Sequence, residues 1–232
     1  MNIKASAISI IFLMATLNAA VIASDIEDAV EAMRTGNFAE AYCIMRPLAE
    51  NGDADAQYNI GWMYLNGYGL RVNDSLALNW WEKASAQGHT DANFSIGMLY
   101  SLGEGEVTKD TSKAIDYYLL AAKQGQEDAI TILQSMMMRN DKAIKGRMHS
   151  IIYNYGLMFG EVREVKASKL NVRKKPTVES SIVTQLTKGQ RVLEMFKQGK
   201  WSQVAILYNE GIEEELRDRT VWVYNPLLEA AQ

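Results

Sequence analysis

His89 and His149 are the only two histidines of the 232-residue chain. Imidazole is the usual general base beside a nucleophile and the commonest transition-metal ligand, so a histidine triad or a multi-histidine site is hard to build from them. Glu104, Glu106 and Asp110 cluster around a glycine turn, where capping and solubility account for them more simply than paired acid–base catalysis. Gly67-Tyr68-Gly69 lacks the Gly-Lys-Ser continuation of a phosphate loop. Met136-Met137-Met138 offers thioethers for a soft metal, but adaptable packing is the simpler use. Cys43 is the only cysteine. It can form no internal disulfide and is expected to lie buried on a helix. These residues assign no catalytic, cofactor-binding or metal-binding role. A hydrolase using an unrecognised carboxylate pair is the enzyme reading they disfavour.

The residues that stand out are instead aromatic, and an internal repeat positions them. Ala56, Tyr58, Gly61, Tyr64, Gly67, Gly69 and Asp74 recur 36 residues later as Ala92, Phe94, Gly97, Tyr100, Gly103, Gly105 and Asp110. A one-residue insertion then pairs Asn79-Trp80-Trp81 with Asp116-Tyr117-Tyr118 and Gln87-Gly88 with Gln124-Gly125. Tyr58, Trp62 and Leu65 follow helical spacing, so each unit reads as two helices joined by a glycine turn. Gly67 and Gly69 end the first helix, Asn73 and Asp74 are cap candidates for the second, and Gly88 and Gly125 close it. Gly61 and Gly97 fall inside helices, where glycine costs about 1 kcal/mol relative to alanine. Close approach of a neighbouring helix is the expected compensation.

The pattern Ala-x-Tyr-x-x-Gly-x-x-Tyr-x-x-Gly-x-Gly, with Trp-Trp or Tyr-Tyr in the second helix, resembles the Sel1-like repeat, a relative of the tetratricopeptide repeat. Asp53 to Gly125 carries two units. Asp25 to Gly52 keeps Ala41, Ala49 and Gly52 in register without the first-helix signature, and Glu127 to Tyr155 keeps Ala129 without the Gly-x-Gly turn. Both ends are expected to be capping pairs, giving roughly four helix pairs in an α-solenoid. The resemblance implies protein binding on a concave face. Trp80, Trp81, Tyr117 and Tyr118 are the candidate anchors there, with at least half of them expected in the core.

Beyond Tyr155 the composition changes to short β-favourable runs: Val162 to Val165, Ile182 to Leu186, Val192 to Phe196, Gln203 to Leu207 and Val221 to Tyr224. Lys188-Gly189 and Gln198-Gly199 supply turns, and Pro176 belongs in a loop. Five short strands suggest a small barrel. Leu170-Asn171-Val172-Arg173, Leu186-x-Lys188-Gly189-x-x-Val192, Trp201-x-x-Val204 and Val221-Trp222-Val223 ahead of Leu227 resemble a bacterial SH3-like domain. That likeness departs at Asn209 to Arg219, a long charged insertion containing Glu213-Glu214-Glu215. The resemblance places Trp201 in a ligand groove, with Tyr224 and Leu227 near its other wall.

The expected organisation is a signal peptide over 1–23, a helical repeat domain over 25–158 and an SH3-like domain over 159–232, thus α followed by β. Lys4, the apolar run Ala5 to Leu17 and the Val21-Ile22-Ala23 pattern read as a cleaved secretory signal, which places the mature chain in the periplasm or outside the cell. No later segment is apolar enough to span a membrane. Residues 25–158 carry 18 acidic and 11 basic side chains, and residues 159–232 carry 10 and 12. Neither half is basic enough to suggest nucleic acid. The leading expectation is an exported adaptor that holds a protein partner on its repeats, with a second contact from the barrel. The alternative is a peptidoglycan-binding anchor or regulator that uses the SH3-like domain.

Overall fold

A computed structural model describes residues 25–103, 105–207, 216 and 219–231. The signal segment and Glu213-Glu214-Glu215 lie outside the described residues. The chain forms two compact units, Met1–Asp110 and Thr111–Gln232.

The first unit holds α1 (25–34), α2 (Phe38–Glu50), α3 (Ala54–Asn66), α4 (Asp74–Ala86) and α5 (Thr90–Leu102). Each of the last three helices starts on a side chain that accepts a free backbone N–H. Asp53 accepts from Ala56 N at 2.8 Å, Asn73 from Leu76 N at 2.7 Å and the His89 Nδ1 from Ala92 N at 3.2 Å. Gly67 and Gly103 end α3 and α5 in the left-handed region, at φ 71° and 72°, where the missing Cβ removes the penalty. Ala41, Met45 and Ala49 of α2 pack with Ala56, Ile60 and Met63 of α3. Cys43 lies on the opposite side of α2 and is exposed, contrary to expectation. Two residues past Ala41 on a 3.6-residue turn is nearly half way round the helix, so the inward phase set by Ala41 and Met45 turns Cys43 to solvent.

Buried polar side chains tie successive helix pairs together. Gln57 donates to Ala49 O at 3.0 Å, and Gln87 donates both to Gln57 Oε1 and to Gly52 O at 2.9 Å. Asn93, the counterpart of Gln57 in the next repeat, accepts from Ser85 Oγ at 2.6 Å. Gln57 and Asn93 are almost fully buried. A buried amide without a partner costs about 1–3 kcal/mol, so these bonds penalise any slip in the stacking.

The second unit holds α6 (Thr111–Lys123), α7 (Glu127–Met138) and α8 (Met148–Tyr155), followed by the strands. The described residues thus hold eight helices in sequence, the number that four helix pairs require. The strands are β1 (Glu161–Val165), β2 (Leu170–Arg173), β3 (Ile182–Leu186), β4 (Arg191–Gln198), β5 (Trp201–Ile206), β6 (Thr220–Tyr224) and β7 (Leu228–Ala230). They form one antiparallel sheet in the order β3-β2-β6-β5-β4-β1-β7. The sheet is not closed into a barrel among the described residues, and it has seven strands where five were expected. Gly189 and Gly199 turn the chain at φ 87° and 58°, and Pro176 sits in the loop after β2. Val165, Val172, Val192, Val204, Val221 and Val223 lead the apolar core, which Leu216 joins from the insertion.

β4 and β5 break the in–out alternation of a half-exposed sheet, because Val192 to Met195 and Ser202 to Ile206 are all buried. The helices cover their second face. At the end of α7, Gln203 donates to Met138 O at 2.5 Å and to Thr220 Oγ1 at 2.8 Å. Asn140, the one non-glycine residue with positive φ among those described, accepts from Thr220 N at 2.7 Å. Gln134 reaches Phe159 O at 2.9 Å and Met195 O at 3.0 Å. Carbonyls left over at a helix end thus find donors on the sheet.

Within that covered region lies one buried carboxylate, Glu194, whose side chain is 5% exposed. It accepts from Arg163 Nε at 2.9 Å and Ser202 Oγ at 2.5 Å, and Lys197 Nζ lies 3.3 Å away. Burial pushes its pKa up, but the bonds from Ser202, Arg163 and Lys197 together outweigh this and hold it below the ordinary carboxylate value. A depressed folded-state pKa contributes stability that is present above the unfolded value and lost as pH falls through the folded one. Stability is therefore expected to fall on acidification below the usual carboxylate range. Glu194→Gln should lower the denaturation midpoint at neutral pH and flatten that acid limb. A variant with the wild-type pH dependence would show that Glu194 does not carry it.

Candidate binding groove on the C-terminal sheet

The hairpin β4–β5 ends at Gly199-Lys200, which places Trp201 at the first residue of β5, and antiparallel register sets it opposite Tyr224 at the end of β6. Their rings meet edge to face, centroids 5.8 Å apart at 75°. The chain then enters a short 3-10 turn over Asn225–Leu227. Asn225 clips it to the hairpin, its backbone N–H donating to Lys200 O at 3.0 Å and its side chain to Gly199 O at 3.1 Å. Lys166 N donates to Leu227 O at 3.1 Å. Trp201, Tyr224 and Leu227 are each half-buried and line one groove of about 360 Å³.

β2 and the loop behind it form the facing side. Leu170 forms part of the apolar floor, while Val178 presents an apolar side chain that is 67% exposed. Arg173 Nη1 donates to Ser180 O at 2.5 Å, Lys174 N to Ser181 O at 3.3 Å and Lys175 N to Ser180 Oγ at 3.0 Å. These bonds fold the loop back on the strand. Lys169 and Arg173 also line the groove.

The three sheet residues named from sequence are thus brought together, whereas the four helical ones divide. Trp81 and Tyr118 are 1% and 2% exposed, and they serve as core. The Trp81 indole N–H donates to Tyr58 O at 3.0 Å. Trp80 is half-buried against the α2–α3 core, with Lys83 Nζ 3.8 Å from its ring centre. Tyr117 is half-buried on α6. Sequence reasoning passed over Trp62 and Met98, which hold equivalent positions in α3 and α5 and are 37% and 36% exposed. Their 36-residue offset was the available signal. It also missed a second hollow of about 440 Å³ beside α8, where Ile152, Leu193 and Leu207 meet and Tyr153 and Leu157 stand largely exposed.

Residues 54–89 and 90–126 match the Sel1 repeat family, one repeat each. The chain carries two Sel1 repeats. The Sel1 repeat protein of Oxalobacter formigenes is 30% identical over 55% of this chain and 98% of its own, with a TM-score of 0.45. A protective antigen of uropathogenic Escherichia coli with an SLR fold is 25% identical over 55% of this chain and 28% of its own, with a TM-score of 0.48. Chitin synthase regulatory factor 4 of Schizosaccharomyces pombe is 29% identical over 137 residues, 59% of this chain but 21% of the yeast protein. Sel1 repeats mediate protein–protein interaction. No helix among the described residues is long and apolar enough to cross a membrane.

Proposed function

We propose that this protein is a non-enzymatic, exported adaptor that holds a protein partner on its repeats and makes a second contact through an SH3-like C-terminal sheet. The carrying observation is the equivalent placement of Trp62 and Met98, one on the first helix of each matched repeat and both accessible. Exposed large apolar side chains repeated at one register offer an interface with the aromatic anchor that binding surfaces favour. The groove of Trp201, Tyr224 and Leu227 supports the second contact. The apolar run Ala5 to Leu17 and the Val21-Ile22-Ala23 pattern support export with cleavage after Ala23, and the mass of protein purified from the cell envelope tests it, since a terminus at Met1 counts against export.

For the adaptor reading, the full chain and the variant carrying Trp62→Ala and Met98→Ala are used as baits on an envelope fraction. Truncating a Trp anchor costs about 2 kcal/mol or more, roughly thirtyfold in affinity. Loss of the recovered protein, with an unfolding midpoint close to wild type, supports the reading. Equal recovery by both baits overturns it, and retention on purified cell wall that survives both substitutions favours the wall-anchor alternative.

A further inference from the structure

Charge separates the groove from the rest of the molecule. The chain as a whole carries a formal net charge of −4. The segments that build the groove, 166–181, 199–203 and 220–228, contain Lys166, Lys169, Arg173, Lys174, Lys175 and Lys200 against the single acid Glu179. The Glu179 carboxylate accepts from the hydroxyl of Thr177 in its own loop. Among the described residues none of these six cations forms an ion pair. Arg173 spends one N–H group on Ser180 O, which leaves the remaining donors of its fork.

Lys169 and Arg173 line the groove itself, and Lys174 and Lys175 follow Arg173 in the adjoining loop, while the rest of the wall is mainly apolar. Trp201, Tyr224, Leu170, Leu227 and Val178 surround a volume of about 360 Å³, room for a few side chains rather than a folded surface. Asn171 accepts from Gln185 Nε2 at 2.8 Å through its carbonyl oxygen, so its own amide N–H groups can donate to a backbone carbonyl in the groove. We infer that the groove binds an extended acidic peptide, seating one or two apolar or proline side chains against Trp201 and Tyr224 while carboxylates on either side meet Lys169, Arg173, Lys174 and Lys175. A single-stranded nucleic acid is the less favoured ligand. It would ask for open aromatic faces in succession, whereas Trp201 and Tyr224 meet edge to face and their neighbours are aliphatic.

The inference deepens the second contact proposed above and rests on that reading only for its biological use. Its test needs no identified partner. Full chain is titrated with three capped peptides, followed by Trp fluorescence and calorimetry: one alternating Glu with Leu-Pro, one with Lys replacing Glu, and one of Glu and Ser without apolar residues. The first should bind at least tenfold more tightly than either of the others at low salt, and weaken as salt screens the exposed charges over about 10 Å at 0.1 M. Exposed ion pairs are each worth up to about fivefold, so Lys169→Gln, Lys174→Gln and Lys175→Gln together should cost on the order of tenfold. The three side chains are exposed and form no ion pair among the described residues, so the variant is expected to keep its fold, which its unfolding midpoint checks. Equal binding of the Lys peptide, unchanged affinity in the triple variant, or displacement of the acidic peptide by a thymidine oligonucleotide at lower concentration each overturns the inference. Binding that survives Trp62→Ala with Met98→Ala supports it even where the adaptor reading fails.

Discussion

Gly160→Ala is expected to lower the stability of the sheet-containing unit by about 3 kcal/mol or more, the upper range for forcing an atom into a packed site. A Cβ at this position would lie 2.2 Å from Glu194 O, 2.9 Å from Glu194 C and 3.2 Å from Met195 Cα. All three are backbone atoms of β4, so no rotamer change can relieve the clash. β4 cannot withdraw either, because Glu194 pairs with Glu161 of β1 and with Val204 of β5. Gln134 bonds Phe159 O and Met195 O on the two sides of the same crossing. The control is Gly156→Ala. There the nearest atoms are Ile152 Cγ2 at 3.5 Å and Leu193 Cδ2 at 3.7 Å, and the backbone is already helical at φ −53°. Its denaturation midpoint should stay within about 0.5 kcal/mol of wild type. Equal midpoints for the two variants would mean that β1 can leave β4 cheaply, and the account of the crossing would be wrong.

The helical part was legible because a repeat displays its inward positions twice. Alanines flank the buried aromatic of each second helix at the same spacing: Ala77 and Ala84 around Trp81, Ala114 and Ala121 around Tyr118. Those alanines fix the phase of the helix, and their spacing alone is enough to separate an inward Trp81 from Trp80. Ala41 and Ala49 carry the same information for Cys43. The aromatic pairs hid it, since large apolar side chains look equally suited to a core and to an interface.

The sheet was legible where alternation is clean, as in β6 with Val221 and Val223 inward and Trp222 and Tyr224 half-buried. β7 escaped notice because a three-residue strand with Leu228 as its one inward side chain has no period to read. In β4 and β5 the helices bury both faces, which turns alternation into a continuous run. The bonds responsible join Asn140 to Thr220 and Gln203 to Met138 across wide gaps in sequence, and such pairs leave no local signature. In the groove, Trp201, Tyr224 and Leu227 were named through the SH3-like resemblance. Val178 was not, because its place depends on the Arg173–Ser180 bond that folds its loop.

The repeat's inner glycine carries the second large effect, and Gly61→Leu is expected to destabilise the first unit by about 2–4 kcal/mol. Glycine inside a helix costs about 1 kcal/mol relative to alanine, so propensity alone favours the substitution. Against it, the first carbon of any side chain would stand 2.5 Å from Trp81 Nε1, 2.6 Å from its Cδ1 and 3.1 Å from Ala77 O. Trp81 has nowhere to go. Its indole is buried between α3 and α4, and its N–H is spent on Tyr58 O one turn before Gly61. Moving the ring strands that donor at a cost of about 1–3 kcal/mol, and overpacking adds a similar amount. Trp81→Ala by itself should cost about 3–5 kcal/mol as a cavity. If Gly61 is small because Trp81 lies across it, the leucine of the double variant enters the space the indole leaves. The double loss should then fall short of the sum of the single losses by about 0.5–3 kcal/mol, the range for side chains in contact. Additive losses in chemical denaturation would place the two residues out of contact and remove the close-approach explanation for this glycine; Gly97, its buried counterpart in α5, would lose the same rationale.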